Sequence, residues 1–294
     1  MKKIWIPGAA GMLGSHFTRL LKKRRIPFVA TNSREIDITH LDAVSDFVRT
    51  QKISHVINCA AYTHVDQAET EQKQAYQVNA IGTHHLGIAC RRHGARIIHF
   101  STDYVFDGKA RLPYTEDYLC APISAYGISK LAGEVKLLAE HSRSCVIRTS
   151  WLFGLFGKNF VGTMLHLMAE KEELKVVSDQ IGRPTYCQDL AEATLELLEE
   201  EGIYHFANSH ETTWHEFAEE IHRQAHSMGY SLKVNSILPI SSHEYPTQAT
   251  RPAYSSLNTK KIECKLDKAP RPWKEALADY LVEYQALQKT KNKA

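Results

Sequence analysis

Tyr126 and Lys130 stand four residues apart in Tyr126-Gly127-Ile128-Ser129-Lys130, a spacing that stacks both side chains on one face of a helix about one turn apart. A free phenol, with a pKa of about 10, is a poor base at neutral pH, but a nearby ammonium favours its ionised form. Such a pair can trade a proton with a substrate oxygen while a hydride moves at the adjoining carbon, and the lysine can also hold the ribose of a nicotinamide cofactor. Tyr-x-x-x-Lys recurs by chance, so the pair needs company. Ser101-Thr102-Asp103-Tyr104 supplies some: Thr102 falls at a predicted strand end, where ligands of open parallel sheets gather. There it either donates a hydrogen bond to the same carbonyl oxygen or only caps the strand.

A hydride donor needs a seat for its diphosphate. The run Gly8-Ala9-Ala10-Gly11-Met12-Leu13-Gly14 follows the first apolar segment and opens a helical pattern. There, glycines tighten the turn and admit a phosphate to the backbone, and the helix start attracts it. The spacing is G-x-x-G-x-x-G rather than G-x-G-x-x-G, and a plain tight loop is the alternative. At the end of the second predicted strand, Ala30-Thr31-Asn32-Ser33-Arg34 lacks the carboxylate that holds a ribose hydroxyl in NAD enzymes. Arg34 there either meets a 2′-phosphate or is a solvated loop cation; the first reading favours NADPH and leaves NADH possible.

These groups need a frame to hold them. Short apolar runs at 4–7, 28–31, 56–61, 97–101 and 146–150 read as buried parallel strands, alternating with helical patterns at 12–25, 41–50, 75–93 and 125–141. The fold class expected is α/β, a doubly wound parallel, Rossmann-like sheet with a smaller C-terminal substrate-binding lobe. Residues 1–152 form the dinucleotide-binding domain, and 153–294 form mostly the lobe, with some segments returning to complete the sheet. Helical patterns at 189–201 and 214–228 divide between the two, and the polar tail at 289–294 is expected to fray.

Composition narrows the classes. With 294 residues, 43% of them hydrophobic and 23% charged, the chain can bury a large core. No run reaches the roughly 18 apolar residues of a membrane span. The first residues lead into a strand without a secretory pattern, so a cytoplasmic protein is expected. A net charge of +3 gives no case for nucleic acid. Six scattered cysteines without a CxxC pair read as reduced thiols, and sixteen histidines show no metal-ligand spacing and are given no function. No metal site is expected.

Taken together, the motifs resemble the extended branch of the short-chain dehydrogenase/reductases and, within it, the dTDP-4-dehydrorhamnose reductase family. The resemblance rests on Ile57-Asn58-Cys59-Ala60-Ala61-Tyr62-Thr63, Val65-Asp66, Val78-Asn79, Ser101-Thr102-Asp103-Tyr104-Val105-Phe106-Asp107-Gly108, Tyr126-Gly127-Ile128-Ser129-Lys130, Arg148-Thr149-Ser150-Trp151, Asp179-Gln180-Ile181-Gly182-Arg183-Pro184-Thr185 and Arg251-Pro252. It implies NADPH-dependent reduction of the C4 keto group of dTDP-4-dehydro-L-rhamnose, with Thr102, Tyr126 and Lys130 as the catalytic set. It places Gly8, Gly11, Met12 and Leu13 along the cofactor diphosphate, Asp37 and Ile38 at the adenine, and Ala60, Ala61 and Thr63 on the nicotinamide side. Val65, Asp103, Tyr104 and Trp151 would surround the sugar and nucleotide, although Val65 and Trp151 also suit a core. A substrate diphosphate asks for a cation, and Arg251 is the candidate, with loop pinning as its other reading.

Cys59 and Pro7 stand where the family usually has alanine and threonine, and neither touches the chemistry. Magnesium dependence and the choice between monomer and homodimer stay open. Three rivals share the scaffold. A nucleotide-sugar epimerase would show no net redox, while a dehydratase would want a glutamate where Tyr104 follows Asp103. A non-catalytic subunit such as the regulatory β subunit of methionine adenosyltransferase resembles the same reductases, but the intact Thr102, Tyr126 and Lys130 favour the enzyme.

Overall fold

The computed structural model describes residues 2–291. Four short runs buried along their whole length, β1 (Ile4–Pro7), β3 (His55–Asn58), β5 (Ser144–Thr149) and, but for its first residue, β4 (Arg96–Thr102), form the centre of a sheet. With β2 (Phe28–Thr31) and β10 (Gly202–His205) at the edges, the order is β10-β5-β4-β3-β1-β2, all parallel. Sequence order reverses between β1 and β3, the position where doubly wound sheets open a ligand crevice. The sixth strand, β10, lies in a segment where periodicity shows no strand, because only two of its four residues are apolar.

Helices cover both faces, packing apolar side chains onto the sheet. On one face α1 (Met12–Lys23) buries Phe17, Leu20 and Leu21 against Leu190 and Ala191 of α7 (Cys187–Glu196). On the other, α2 (Leu41–Thr50), α4 (Thr83–His93) and α5 (Ala125–Glu140) bury Val44, Val48, Leu86, Ala89 and Leu137. The helical pattern read as 75–93 is not one α-helix. It begins as α3 (Gln72–Tyr76), passes through a π turn at Gln77–Gly82 and continues as α4; the wide turn buries Asn79, which a regular helix would place differently. The strand expected to reach residue 61 ends at Asn58, where the chain leaves the ladder to form the crevice wall.

A second core gathers Phe153, Val161, Leu165, Phe217, Ile221, Trp273 and Tyr280. It is built from α6 (Phe160–Glu170), α8 (Trp214–Ser227) and the last helix, α10 (Trp273–Lys291), and from a parallel pair, β7 (Glu173–Val177) with β12 (Ser236–Ile240). Two-residue strands β6 (Leu152–Phe153) with β9 (Thr185–Tyr186), and β8 (Ile181–Gly182) with β11 (Thr212–Thr213), tie this lobe together. A short helix, α9 (Lys260–Leu266), returns Ile262 to the sheet core. Of the tail expected to fray, residues 289–291 continue α10, and 292–294 lie outside the described residues. Among the described residues no helix is long and apolar enough to cross a membrane.

Candidate active site

The glycine turn joins β1 to α1. Gly8 has φ +77°, and a Cβ there would lie 2.5 Å from the Ala60 nitrogen, so the turn and the chain leaving β3 lie backbone to backbone. Gly14 sits equally close to the Gly8 carbonyl, locking α1 onto the turn. Gly11 is the N-cap and offers no side-chain cap bond. The first-turn N–H groups of Met12, Leu13 and Gly14 therefore lack intrahelical acceptors and suit a phosphate. At the end of β2, Arg34 is exposed, and its backbone N–H donates to Asn32 Oδ1 (2.9 Å). The stretch 30–34 carries no acid, but Glu35 folds its carboxylate back to accept the Asn32 N–H (2.8 Å). Asp37 is exposed and accepts two bonds from Thr39, whereas the Ile38 side chain is core beside Val44 and Leu86.

The chain leaving β3 forms the next wall. Ala60 N–H donates to Asn58 Oδ1 (3.1 Å), while Ala61 and Val65 are half-buried and Thr63 is exposed. Asn79, from the π turn, accepts the Tyr62 N–H (2.8 Å), returns a bond to the Tyr62 carbonyl and donates to Ser129 Oγ on α5 (2.9 Å). One buried amide thus fixes the wall against the helix carrying Tyr126 and Lys130. Asn58 and Asn79 lie within the sequence motifs, but no motif spacing assigns either a task.

The start of α5 is fixed by Ser124, whose hydroxyl accepts the Gly127 N–H (3.2 Å). A Cβ on Gly127 would lie 2.2 Å from the Tyr104 carbonyl, so only glycine lets the first turn of α5 rest on the end of β4. That contact brings Tyr126 to Thr102 and Tyr104: the two tyrosine rings meet edge-on at 5.6 Å, and the Thr102 hydroxyl lies against the phenol. The Thr102 hydroxyl donates to Asp103 Oδ1 (3.0 Å) and accepts the Tyr104 N–H (3.2 Å).

Lys130 is 2% exposed; its Nζ donates to the Phe100 carbonyl (2.6 Å) and lies 3.3 Å from His99 Nε2. One turn further on, Glu134 and Arg148 form a bidentate ion pair, closest at 2.7 Å and almost wholly buried. This pair joins α5 to β5.

Burial sets the proton affinities here. It lowers Lys130 to about 8 against the pull of Glu134. Burial, followed by the Asp103 charge, drives the Tyr126 phenol well above its ordinary value against the hydroxyl of Thr102. The expectation that the ammonium acidifies the phenol is therefore corrected: desolvation disfavours the charged form of both groups, raising the phenol and lowering the lysine. Tyr126 is a proton holder at neutral pH, which is the state that can donate. Burial also raises Asp103 to about 6, against hydrogen bonds from Ser255 and Thr102.

The far wall comes from the lobe. Trp151 has φ +46° and stacks flat on Trp214 at 3.5 Å, and Trp214 Nε1 donates to Gln180 (3.2 Å). A non-glycine residue held at positive φ is costly and marks a position that the surroundings enforce. Trp214 has no role in the sequence reading, since nothing there pairs it with Trp151. Arg251 grips Asp66 with both Nη atoms (2.8 and 3.1 Å) and donates to the Ala249 carbonyl. These three bonds leave its Nε–H and one Nη2–H for another anion.

Similarity to known proteins follows the same lines. A family profile described as RmlD substrate binding domain matches residues 1–286. The chain is 42% identical over 284 residues to the spore coat polysaccharide biosynthesis protein SpsK of Bacillus subtilis (strain 168), covering 96% of this chain and 98% of that protein. It is 40% identical over 286 residues to dTDP-4-dehydrorhamnose reductase of Aggregatibacter actinomycetemcomitans, covering 94% and 97%. A crystal structure of dTDP-4-dehydrorhamnose reductase from Bacillus anthracis str. Ames in complex with NADP superimposes with a TM-score of 0.91 at 38% identity, covering 96% of this chain and 100% of that one. The chain belongs to the dTDP-4-dehydrorhamnose reductase family, whose profile is the RmlD substrate binding domain.

Proposed function

We propose that this chain reduces the C4 keto group of dTDP-4-dehydro-L-rhamnose to the alcohol of dTDP-L-rhamnose with NADPH. The observation that carries the reading is the Tyr126 phenol set against the Thr102 hydroxyl and the Tyr104 ring at the carboxyl end of β4, in a chain whose relatives along nearly their whole length are named for this reduction. When bound, NADPH supplies the hydride. Gly8, Gly11, Met12, Leu13 and Gly14 take its diphosphate, Arg34 its 2′-phosphate, Asp37 and the Ile38 backbone its adenine, the Ile38 side chain staying in the core, and Ala60, Ala61 and Thr63 its nicotinamide side. The NADP bound to the B. anthracis relative supports this choice of cofactor.

Tyr126 gives its proton to the C4 oxygen, and Thr102 orients that oxygen. The Thr102 proton is spent on Asp103 while that carboxylate is charged; when Asp103 holds a proton the bond can reverse and the Thr102 O–H is released. Lys130 in its ammonium form offsets the charge left on the phenol and holds the cofactor ribose. Val65, Asp103, Tyr104 and Trp151 line the sugar and nucleotide, and the remaining N–H groups of Arg251 meet the substrate diphosphate.

The test is loss of NADPH absorbance with dTDP-4-dehydro-L-rhamnose, run beside keto sugars carrying other nucleotides. Turnover fastest with the dTDP sugar is expected. Cofactor binding without turnover on any sugar would favour a regulatory subunit, and sugar conversion without NADPH loss an epimerase.

A further inference from the structure

His99 interrupts the apolar strand Ile97-Ile98-His99-Phe100 and is wholly buried. A polar ring in a sheet centre must have both nitrogens accounted for. Asn58, beside it on β3, accepts the Ala60 N–H with Oδ1 (3.1 Å), which fixes the orientation of its amide, and Nδ2 faces His99 Nδ1 at 3.0 Å. An amide nitrogen only donates, so Nδ1 is bare. Burial, followed by the nearby Lys130 charge, holds the imidazole pKa well below its ordinary value, so the ring is neutral and carries its one proton on Nε2. That N–H points at Lys130 Nζ, 3.3 Å away.

An ammonium has donors only, so it would meet this N–H donor to donor. An amine resolves the conflict: its lone pair accepts the Nε2–H, and one of its own hydrogens goes to the Phe100 carbonyl at 2.6 Å. We propose that Asn58 and His99 are positioning residues that set the proton on Lys130, with Asn58 selecting the imidazole tautomer that favours the amine. The inference rests on the catalytic reading of Lys130 given above. Other groups around the lysine leave this role open. Glu134, on its own helix, attracts the ammonium but is paired to Arg148 of β5. Asp103 acts on Tyr126, Glu69 accepts the Ala125 N–H, Asn79 from the π turn is uncharged and spent on Ser129, and Lys73 of α3 is exposed.

Two variants replace the donor with an acceptor. In Asn58→Asp, a near-isosteric carboxylate accepts both the Ala60 N–H and a proton on Nδ1, leaving Nε2 bare to accept from the ammonium. In His99→Gln, the side-chain amide can turn its carbonyl to Nζ. In both, the alkaline limb of the kcat profile moves up by about one pH unit or more, because a hydrogen bond to the charged form raises the pKa of Lys130. A merely structural role would lower the plateau and leave the limb in place, and that result overturns the inference. Lys130→Met separates the two readings. If the limb persists without the lysine, the catalytic reading of Lys130 fails and takes the inference with it. If the limb is lost in Lys130→Met yet unmoved in both other variants, only the inference fails. Nitrogen-15 NMR of histidine-labelled protein, with His99 assigned by its loss in His99→Gln, decides the tautomer without any activity: a protonated Nε2 supports the assignment and a protonated Nδ1 overturns it.

Discussion

The sheet wall of the site and the lobe wall facing it are held together by different means. At the ends of β3 and β4 and the first turns of α5, nearly every functional side chain is buried and tied to another buried polar group: Asn58 to His99, Asn79 to Ser129, Thr102 to Asp103, and Lys130 to the strand carbonyl. In the lobe, Trp151 and Trp214 are half-buried in a flat stack, and Arg251 meets a partly exposed Asp66. Buried polar groups cost most when a partner is lost, while half-exposed pairs can re-form with water or ligand. The sheet wall therefore fixes proton positions, and the lobe wall can adapt to the substrate's shape and charge.

The sharpest test of that contrast is Tyr126→Phe, which removes one hydroxyl from the sheet wall. It is expected to lower kcat by about 10²- to 10⁴-fold, the usual worth of a positioned general acid. NADPH affinity, followed by fluorescence titration, should stay close to that of the parent protein. A kcat within a few-fold of the parent would move the proton donor elsewhere and leave the two walls without a division of labour.

Asp103→Asn asks whether the sheet wall stores a proton. Burial raises this carboxyl from 3.8 to about 6, so its contribution to stability is fully present below pH 4 and is lost as pH rises through about 6. At about 1.36 kcal/mol per pKa unit, the loss approaches roughly 3 kcal/mol by pH 8. The variant escapes that loss. Its unfolding free energy relative to the parent should improve from pH 4 through about pH 6 and level off above about pH 7 in urea titrations, and a difference independent of pH would break the argument.

On the lobe wall Arg251→Ala should act on binding alone. Substrate KM is expected to rise about ten-fold with kcat within a factor of two, as when an interaction equal in ground and transition states is removed. An unaltered KM would leave Arg251 as a loop clamp on Asp66.

The contrast between the walls also decides what could be read from the sequence. Helix α2 was legible at 41–50 because it shows a clean apolar stripe, and α5 within one residue of its end although its buried face carries Gly127, Ser129, Lys130, Gly133 and Glu134 while Ile128 and Val135 are exposed. Thr102 lies against Tyr126 because the first turn of α5 rests on the end of β4, whereas the bonds of Lys130 run to Phe100 and His99 of β4. The π turn was not legible, since one extra residue in a turn shifts the helical phase without altering composition. His99 was hidden for a related reason: a histidine inside a strand looks like a break in the apolar run, and its value depends on Asn58 across the ladder. The stack of Trp151 on Trp214 joins residues far apart in the chain, which periodicity cannot pair. The direction of the Tyr126 shift depends on burial depth, and spacing along a helix carries no information about depth.

The smallest effect is expected where neither wall reaches, at the rim of β2. Arg34 is exposed and none of its side-chain atoms is held by a bond described in the structure, so any grip on a 2′-phosphate is a solvent-screened contact. Glu35, one residue on, turns its carboxylate to the Asn32 N–H and so stands near the same spot; its charge would oppose a phosphate and welcome a ribose hydroxyl. The two side chains therefore favour different cofactors, and the balance is small. Arg34→Ala should raise KM for NADPH about three- to ten-fold, the effect shrinking as salt is added, and leave KM for NADH nearly unchanged. Glu35→Gln should act in the opposite sense, lowering KM for NADPH. If both variants discriminate between the cofactors as the parent does, the end of β2 takes no part in that choice.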